Sequence, residues 1–315
     1  MWIELHYYRL YGLTVMSGLV IPDAEGVTLS AGDKKADVAV TLGHVPDFSA
    51  DEKQIKLTDT WYCSVPDPQL FYMHCNGFDF EITNGDTVKV DTHGLDVENS
   101  DLVTYILGSA FGVIGIQRDL IPLHGAAVET GNTASIITGY PGSGKSAVLS
   151  ELIQTGRRYL ADDVSMVTST VGKPYVFPSY PQRKIAADSA AETVASISGA
   201  TLLNEDGRDK YAIRNTSEWL DEKRHLSCIV EIVRATRKDN AAFVPEIREI
   251  NGHASLSLLL RNQFRPQFAT GIGTPPSRMK QLLEITSSVK MYQIIRPASG
   301  YPVNETANII IERCL

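Results

Sequence analysis

Residues 139–146 (the glycine loop) read Gly-Tyr-Pro-Gly-Ser-Gly-Lys-Ser and carry the strongest structural signal in the chain. The stretch matches the phosphate-loop pattern G-x-x-x-x-G-K-[ST], in which glycines let main-chain N–H groups turn inward around an anion. The apolar run at 134–138 predicts a strand before the loop, and the apolar spacing over 147–154 predicts a helix after it. Strand, loop and helix N-terminus in this order predict a phosphate-binding site.

The loop positions and the residue after them form the predicted nucleotide-binding set. Lys145 is placed to reach the β- and γ-phosphates, and the Ser146 hydroxyl is placed to ligate Mg²⁺. The whole set is Gly139, Tyr140, Pro141, Gly142, Ser143, Gly144, Lys145, Ser146 and Ala147. The expected cofactors are therefore ATP and Mg²⁺.

The composition is ordinary for a soluble protein: of 315 residues, 43% are hydrophobic and 21% are charged. The net charge of −8 argues against broad binding to nucleic acids or membrane surfaces, because such binding needs basic patches. No nucleic-acid or membrane partner is expected, and formation of a homo-oligomer is left open.

The first residues lack the basic-then-apolar order of a signal peptide. Four cysteines without C-x-x-C spacing are interpreted as reduced thiols of a cytoplasmic protein: Cys63, Cys75, Cys228 and Cys314.

The sequence changes character near residue 95. Residues 1–95 are dense in aromatic and β-branched residues, with a hairpin signal at Asn84-Gly85, and predict a β-rich N-terminal domain. Residues 96–315 mix apolar strands and helices around the glycine loop and predict an α/β phosphate-loop domain. That domain is expected to contain a buried helix at 102–117, a helix at 186–198 and a last strand at 308–312.

Two adjacent aspartates, Asp162 and Asp163, end a short predicted strand after the loop helix. Strand ends are where an open α/β sheet places its ligand groups. Phosphoryl transfer needs a metal ligand and an acceptor for the hydroxyl proton, and adjacent side chains on an extended chain point apart. One aspartate can therefore face the reacting hydroxyl while the other reaches a metal. The alternative is that the pair only caps a turn, and the residues alone leave the role of His124 open.

Together these features resemble the catalytic core of HPr kinase/phosphorylase. The resemblance rests on Leu-His-Gly at 123–125, the glycine loop, and Ala-Asp-Asp at 161–163, in that order. It implies a phosphate-loop core of the phosphoenolpyruvate-carboxykinase-like type. In that core Asp162 would be the base on the acceptor hydroxyl, and His124 would orient Asp162.

The same resemblance gives the remaining loop and metal roles. Lys145 would bind phosphate, and Asp163 would assist Ser146 at the metal. Ala147 follows the loop serine, where HPr kinases usually carry glutamate. At this position the chain departs from the pattern of the kinases that act on HPr itself.

A wider resemblance, to HPr-kinase-like proteins encoded beside peptide-modification genes, rests on residues 8–13 (YRLYGL), 180–185 (YPQRKI) and 291–297 (MYQIIRP). The lasso peptide kinases are the best-defined members. The resemblance implies a serine kinase that phosphorylates the C-terminal serine of a lasso precursor peptide. Arg183 and Lys184 would then bind the transferring phosphoryl group or the peptide carboxylate. The alternatives are an HPr-type kinase/phosphorylase, a small-molecule kinase, and a nucleotide-dependent binding module without transfer.

Overall fold

The structure is a computed structural model that describes residues 4–30, 35–51, 53–186, 200–205, 208–235, 245–297 and 303–314. Over these residues the chain is a mixed α/β protein with two large sheets and one small sheet, which confirms the predicted α/β class. Its internal contacts define two compact units. The first is Met1–Pro122 with Arg265–Arg278, and the second is Leu123–Phe264 with Met279–Leu315. The first unit thus extends beyond residue 95, where the sequence predicted a boundary.

The first unit is built on an eight-stranded sheet. Its strands are β1 (His6–Leu10), β2 (Leu13–Ser17), β3 (Val38–Leu42), β4 (Ile55–Lys56), β5 (Trp61–Asp67), β6 (Leu70–Cys75), β7 (Phe78–Thr83) and β8 (Thr87–Asp91). They lie in the order β1-β2-β3-β8-β7-β6-β5-β4. Buried and partly exposed residues alternate along β6, β7 and β8, so one face of the sheet meets a core. The predicted hairpin joins β7 to β8, and Asn84 and Gly85 both have positive φ, 54° and 66°.

The described helices are distributed over both units. They are α1 (Ser100–Tyr105), α2 (Phe111–Gln117), α3 (Lys145–Gln154), α4 (His253–Arg261), α5 (Pro266–Ile272), α6 (Pro276–Ser288) and α7 (Val303–Cys314). A π-helical turn at Ile106–Ala110 joins α1 to α2, and 3-10 turns cover Pro22–Val27 and Thr216–Glu218. The continuous helix Ser100–Gln117 is long and apolar enough to cross a membrane, and 72% of it is buried inside the protein. Burial of this helix confirms the buried helix predicted at 102–117.

Helix α5 belongs to the first unit although it comes late in the chain. Phe268 is fully buried there, with its ring 4.8 Å from that of Phe71 and 5.7 Å from that of Trp61. The Arg265 guanidinium lies over the Trp61 ring at 4.1 Å from its centroid. The segment therefore completes the aromatic core of the first unit.

The second unit contains the other large sheet and the small sheet. The large sheet holds β9 (Ile121–Thr130), β10 (Thr133–Thr138), β11 (Tyr159–Ala161), β12 (Val164–Thr170), β13 (Lys173–Val176), β17 (Arg224–Arg234), β18 (Glu246–Glu249) and β19 (Lys290–Arg296). The small sheet holds β14 (Gln182–Ala186), β15 (Thr201–Glu205) and β16 (Arg208–Arg214), in the order β14-β16-β15. In the large sheet β17 pairs in parallel with β10 and with β19. Strand β10 also pairs antiparallel with β9, so the strand that leads into the glycine loop has a paired strand on each side.

Two predicted elements have different outcomes. The strand predicted at 308–312 is wrong, because these residues lie in helix α7. Three consecutive isoleucines favour a strand locally, but Thr306, Ala307, Ile310 and Cys314 are buried at helical spacing where α7 packs against α3. The helix predicted at 186–198 falls almost wholly outside the described residues, and Ala186 ends strand β14.

The interpretation of all four cysteines as reduced thiols is also wrong. Cys228 in β17 and Cys314 at the end of α7 form a disulfide, with their Cα atoms 5.7 Å apart. Cys63 and Cys75 are free and buried. The pairing depends on the packing of α7 against β17, which brings together two cysteines 86 positions apart. Because the two cysteines are so far apart in the chain, no local sequence pattern predicts the disulfide.

Candidate active site

The glycine loop runs from the end of β10 into the first turn of α3. Gly139 and Gly144 have φ values of 137° and 103°, which residues with a side chain rarely adopt. A Cβ on Gly139 would also lie 2.3 Å from the carbonyl oxygen of Ile232 in β17. Gly144 is the N-cap of α3, and the N–H groups of the following helical turn have no intrahelical acceptors. The loop therefore presents main-chain donors at a helix N-terminus, with a backbone shape that requires glycine.

The other predicted loop residues differ in exposure. Tyr140 is 63% exposed, and Pro141 is exposed beside it. Ser143 is buried, and its hydroxyl has no hydrogen-bond partner among the described residues. Ser146 is half-buried, whereas Ala147 is buried in α3. Ser146 is thus the loop hydroxyl that remains accessible at the helix start.

Lys145 folds back over the start of the glycine loop. Its Nζ donates to the Gly139 carbonyl oxygen at 2.7 Å and to the Tyr140 carbonyl oxygen at 3.3 Å. The flexible stem of a lysine permits the ammonium group to reach a phosphate on the same loop. The structure therefore places the predicted phosphate-binding cation on the loop itself.

A second cation on the loop was missed by the sequence analysis. Arg296, the last residue of β19, donates from Nε to the Ser143 carbonyl oxygen at 2.7 Å and from Nη2 to the Gly142 carbonyl oxygen at 2.8 Å. It also donates from Nη1 to the Pro297 carbonyl oxygen at 2.9 Å. Its position at a strand end before a proline gave no local sign of this contact.

His124, on β9, lies against the turn that carries Asp162 and Asp163 (the acidic turn). Its Nδ1 is 3.2 Å from the main-chain oxygen of Asp163 and 3.4 Å from Asp163 Oδ1. Asp163 has a φ of 69°, and 20% of its side chain is exposed. The histidine's aspartate partner is therefore Asp163, whereas the family resemblance implied Asp162. The left-handed backbone at Asp163 is the physical reason, because it redirects the two neighbouring carboxylates.

Asp162 faces the small sheet. It is 8% exposed, its Oδ1 accepts the N–H of Asp163 at 2.9 Å, and its Oδ2 accepts the N–H of Lys184 at 2.7 Å. Burial raises the pKa of Asp162; the Lys184 amide opposes that shift and the charge of Asp163 adds to it. The carboxylate does cap the turn, and each oxygen keeps a second lone pair.

Arg183 and Lys184 point to opposite sides of β14, as neighbours on a strand do. Lys184 is buried with its Nζ 3.7 Å from Asp163 Oδ2. The Arg183 guanidinium instead donates to the Ser150 hydroxyl of α3 at 3.0 Å and to Glu218 at 3.2 Å. The structure therefore brings Lys184 to the carboxylates, while Arg183 links α3 to the neighbouring 3-10 turn.

Two lysines, Lys145 and Lys210, influence the protonation of His124. Burial, together with the charges of Lys145 and Lys210, lowers the pKa of His124 to about 4, although Asp163 opposes the shift. The imidazole is therefore neutral at pH 7. Lys210 lies on β16 opposite Ala186, on the side of the small sheet that carries Lys184. The register of β16 against β14 sets this position of Lys210.

The main chain of His124 is held by a buried polar cluster. Its N–H donates to the carbonyl oxygen of Asn262 at 2.8 Å, and the Asn262 side chain donates to Glu231 at 2.8 Å. Glu231 is fully buried and also accepts from Arg261 Nε at 2.8 Å and from Gln293 at 2.8 Å. The cluster fixes the end of α4 against β9, β17 and β19.

The donor groups fit a nucleotide with Mg²⁺. A Cβ on Gly142 would meet nothing within 4 Å, so that side of the loop is open. No group of three or more His, Cys, Asp or Glu side chains among the described residues is placed to hold a metal ion. Mg²⁺ at phosphoryl-transfer sites uses one or two protein oxygens together with waters and phosphates. The Ser146 hydroxyl and the Asp163 carboxylate supply oxygens of this kind.

Comparisons with known proteins show a distant likeness to solved structures. No protein-family model matches the chain, and no curated protein matches its sequence. Among solved structures, the chain is similar to the Hpr(Ser) kinase/phosphatase from Coxiella burnetii, with 12% identity over 60% of this chain and 93% of that chain. The TM-score is 0.30, which is too low to establish a shared fold.

Proposed function

We propose that this protein is an ATP- and Mg²⁺-dependent kinase that transfers a phosphoryl group to a serine hydroxyl of a peptide. The observation that carries the proposal is the position of the acidic turn, with Asp162 and Asp163, beside the glycine loop. The Thr138 hydroxyl, one residue before the loop, donates to the main-chain oxygen of His124 at 2.7 Å. His124 in turn contacts Asp163. A phosphate held by the loop amides would therefore lie near two carboxylates.

The charges around this turn also support a polyanionic ligand. The chain has a net charge of −8, yet the residues near the turn include three lysines against two carboxylates and a neutral histidine. These lysines are Lys145, Lys184 and Lys210. Local excess positive charge in an acidic protein favours an anion such as a triphosphate.

The proposed mechanism gives each described residue one task. Bound MgATP would supply the transferable phosphoryl group. The loop N–H groups and Lys145 bind its phosphates, and Ser146 and Asp163 supply oxygen ligands on the metal side. Asp162 accepts the proton of the acceptor hydroxyl, and its raised pKa makes it a stronger base than an exposed aspartate. Neutral His124 orients Asp163.

The acceptor we propose is the C-terminal serine of a lasso precursor peptide. The support comes from the sequence resemblance at 8–13, 180–185 and 291–297. We propose that buried Lys184, whose Nζ lies 3.7 Å from Asp163 Oδ2, interacts there with a phosphoryl group or an acceptor carboxylate.

Intact-mass spectrometry after incubation with ATP and Mg²⁺ tests the proposal. The acceptors would be a lasso precursor ending in serine, its Ser→Ala variant and HPr. We expect phosphate to be added to the serine-terminated precursor alone.

Other results would assign a different function. Phosphate on HPr alone would make the protein an HPr-type kinase. Saturable ATP binding without transfer to any acceptor would contradict the peptide-kinase proposal and favour a nucleotide-dependent binding module. Absence of ATP binding would overturn the role of the glycine loop.

A further inference from the structure

Arg296 is a buried cation that contacts the glycine loop from outside the motif. It is 7% exposed and ends β19, more than a hundred residues after the loop. Two of its three donor nitrogens bind consecutive loop carbonyl oxygens, those of Gly142 and Ser143. Charge-assisted bonds from a planar guanidinium hold both distance and orientation.

The carbonyl oxygens of the loop are thus shared between two cations. Lys145 donates hydrogen bonds to the carbonyl oxygens of Gly139 and Tyr140, and Arg296 donates to those of Gly142 and Ser143. A carbonyl and the next N–H lie in one peptide plane and point in opposite directions. Holding the Ser143 oxygen therefore fixes the N–H of Gly144.

The second bond from Arg296 stabilises the turn within the loop. The peptide plane of the Gly142 oxygen also carries the N–H of Ser143, which donates to the Tyr140 carbonyl oxygen at 3.0 Å. The orientations of the Gly142–Ser143 and Ser143–Gly144 peptide planes, just before α3, are therefore already fixed in the ligand-free protein. Preorganised donors bind charge without the cost of rearranging the loop.

We propose that Arg296 is a positioning residue that presets the glycine loop for anion binding. The inference rests on the proposed function, in which this loop binds phosphate. Lys145 directly contacts the bound phosphate in that function, and Arg296 acts only through the loop backbone.

The test uses the full chain with Arg296→Met and Arg296→Lys. Methionine removes the charge and the donors at similar length, whereas lysine keeps the charge but loses the planar pair of donors. Arg278→Met is the matched control, because Arg278 is also buried and donates to the main-chain oxygens of Gly273 and Ile116 in the first unit. Thermal unfolding of each variant checks the fold.

Two readouts separate loop positioning from general stability. The first is hydrogen exchange of the peptide covering the loop in the ligand-free protein. The second is calorimetric binding of tripolyphosphate and of MgADP. For Arg296→Met we expect faster exchange in the loop, unchanged exchange in β9, and roughly 10- to 100-fold weaker binding, as expected for lost charge-assisted bonds.

Arg296→Lys should retain part of the affinity that Arg296→Met loses. Arg278→Met should leave loop exchange and both affinities unchanged. Unchanged exchange in Arg296→Met would overturn the inference, and so would faster exchange with unchanged affinity for both anions.

Failure of the proposed function gives a different pattern. If the wild-type protein binds neither tripolyphosphate nor MgADP, the phosphate-binding role of the loop fails, and with it any presetting for anions. Loop exchange in Arg296→Met then still decides whether the arginine holds the loop backbone.

Discussion

At the scale of single residues, the two adjacent aspartates have separate environments. Asp162 is held by the amides of Asp163 and Lys184, and burial raises its pKa. Asp163 faces His124 and the Lys184 ammonium group, with part of its side chain in solvent. The environments differ because Asp163 has a left-handed backbone conformation, with a φ of 69°. Two carboxylates from consecutive positions can therefore serve separately as proton acceptor and metal ligand.

Asp162→Asn should lower the rate of phosphoryl transfer by about 10²- to 10⁴-fold, the usual contribution of a general base. Nucleotide affinity should persist, because Asp162 contacts neither the glycine loop nor Lys145 in the described structure. An asparagine can accept only one of the two amide bonds, so a lower melting temperature is also expected. Single-turnover kinetics and calorimetry measure the two effects.

Asp163→Asn is the matched variant, and it should raise the Mg²⁺ concentration needed for half-maximal rate. The opposite pattern would assign proton acceptance to Asp163. In that pattern the Asp162 variant would keep its rate and the Asp163 variant would lose it at every Mg²⁺ concentration.

His124 should make the stability depend on pH. Its pKa is about 4 in the folded protein and near 6.5 when unfolded. Between these values the unfolded chain binds more protons, so the free energy of unfolding falls as the pH falls. The shift corresponds to a loss of at most about 3 kcal/mol. Urea unfolding of the wild type and His124→Gln at a series of pH values measures it.

The difference between these two proteins isolates the histidine. Asp162, whose pKa is raised, works in the opposite direction, because it loses stabilisation as the pH rises, but it is present in both proteins. If both proteins lose the same free energy between pH 6.5 and pH 4, His124 is not buried as a neutral group.

At the scale of elements, Glu231 is where four segments of the second unit meet. Burial alone would raise the pKa of this carboxylate, but hydrogen bonds from Arg261, Asn262 and Gln293 outweigh it and lower the pKa. The group is therefore charged and fully buried. Through Asn262 it sets the main chain of His124, so the cluster connects the packing of α4 to the candidate site.

Glu231→Gln should destabilise the protein by about 1–3 kcal/mol, because it removes the charge from a fully buried acceptor of several hydrogen bonds and leaves the partly exposed Arg261 guanidinium without its carboxylate. Glu246→Gln is a matched control, since Glu246 makes the same two-bond contact with Arg248 on the surface. The control should leave stability unchanged, because exposed ion pairs contribute little. Urea denaturation compares the two variants. Equal stability would show that the cluster is not needed for the fold.

Local chemistry made much of the candidate site predictable from sequence. The glycine loop, the N-terminus of α3 and the β7–β8 hairpin depend on neighbouring residues, because positive φ values and helix starts are set over a few positions. The sequence prediction of the mixed α/β class came from apolar periodicity. Helix α7 was missed because β-branched isoleucines favour a strand until packing against α3 decides otherwise.

The rest of the site depends on long-range pairing. Arg296 reaches the loop through the parallel pairing of β19 with β17, and Lys210 reaches the acidic turn through its register with β14. The His124–Asp163 contact depends on one backbone angle that aspartate adopts only occasionally. None of these contacts has a local sequence pattern, because each joins residues that only strand pairing or backbone conformation brings together.

At the scale of the whole molecule, the Cys228–Cys314 disulfide closes a loop of 86 positions and ties helix α7 to β17. The same helix packs against α3, which carries the glycine loop at its start. A cross-link of this kind restricts the unfolded chain and typically stabilises a protein by about 2–4 kcal/mol.

Cys314→Ser should therefore lower the urea midpoint of unfolding, and reduction of the wild type should lower it by a similar amount. Reduction should have no further effect on Cys314→Ser. Cys63→Ser, which alters a free buried thiol of the first unit, should remain sensitive to reductant. Identical midpoints for oxidised and reduced wild type would contradict a stabilising cross-link.

The return of helix α5 to the first unit matters for anyone who wants to express that unit alone. A gene fragment that stops after residue 122 would encode all eight strands but omit Phe268, and so would uncover the Trp61 and Phe71 rings. Exposed aromatic surface of that kind promotes aggregation. Recombinant production of the unit requires 265–278 to be spliced back through a linker, so its coding sequence is discontinuous although its core is not.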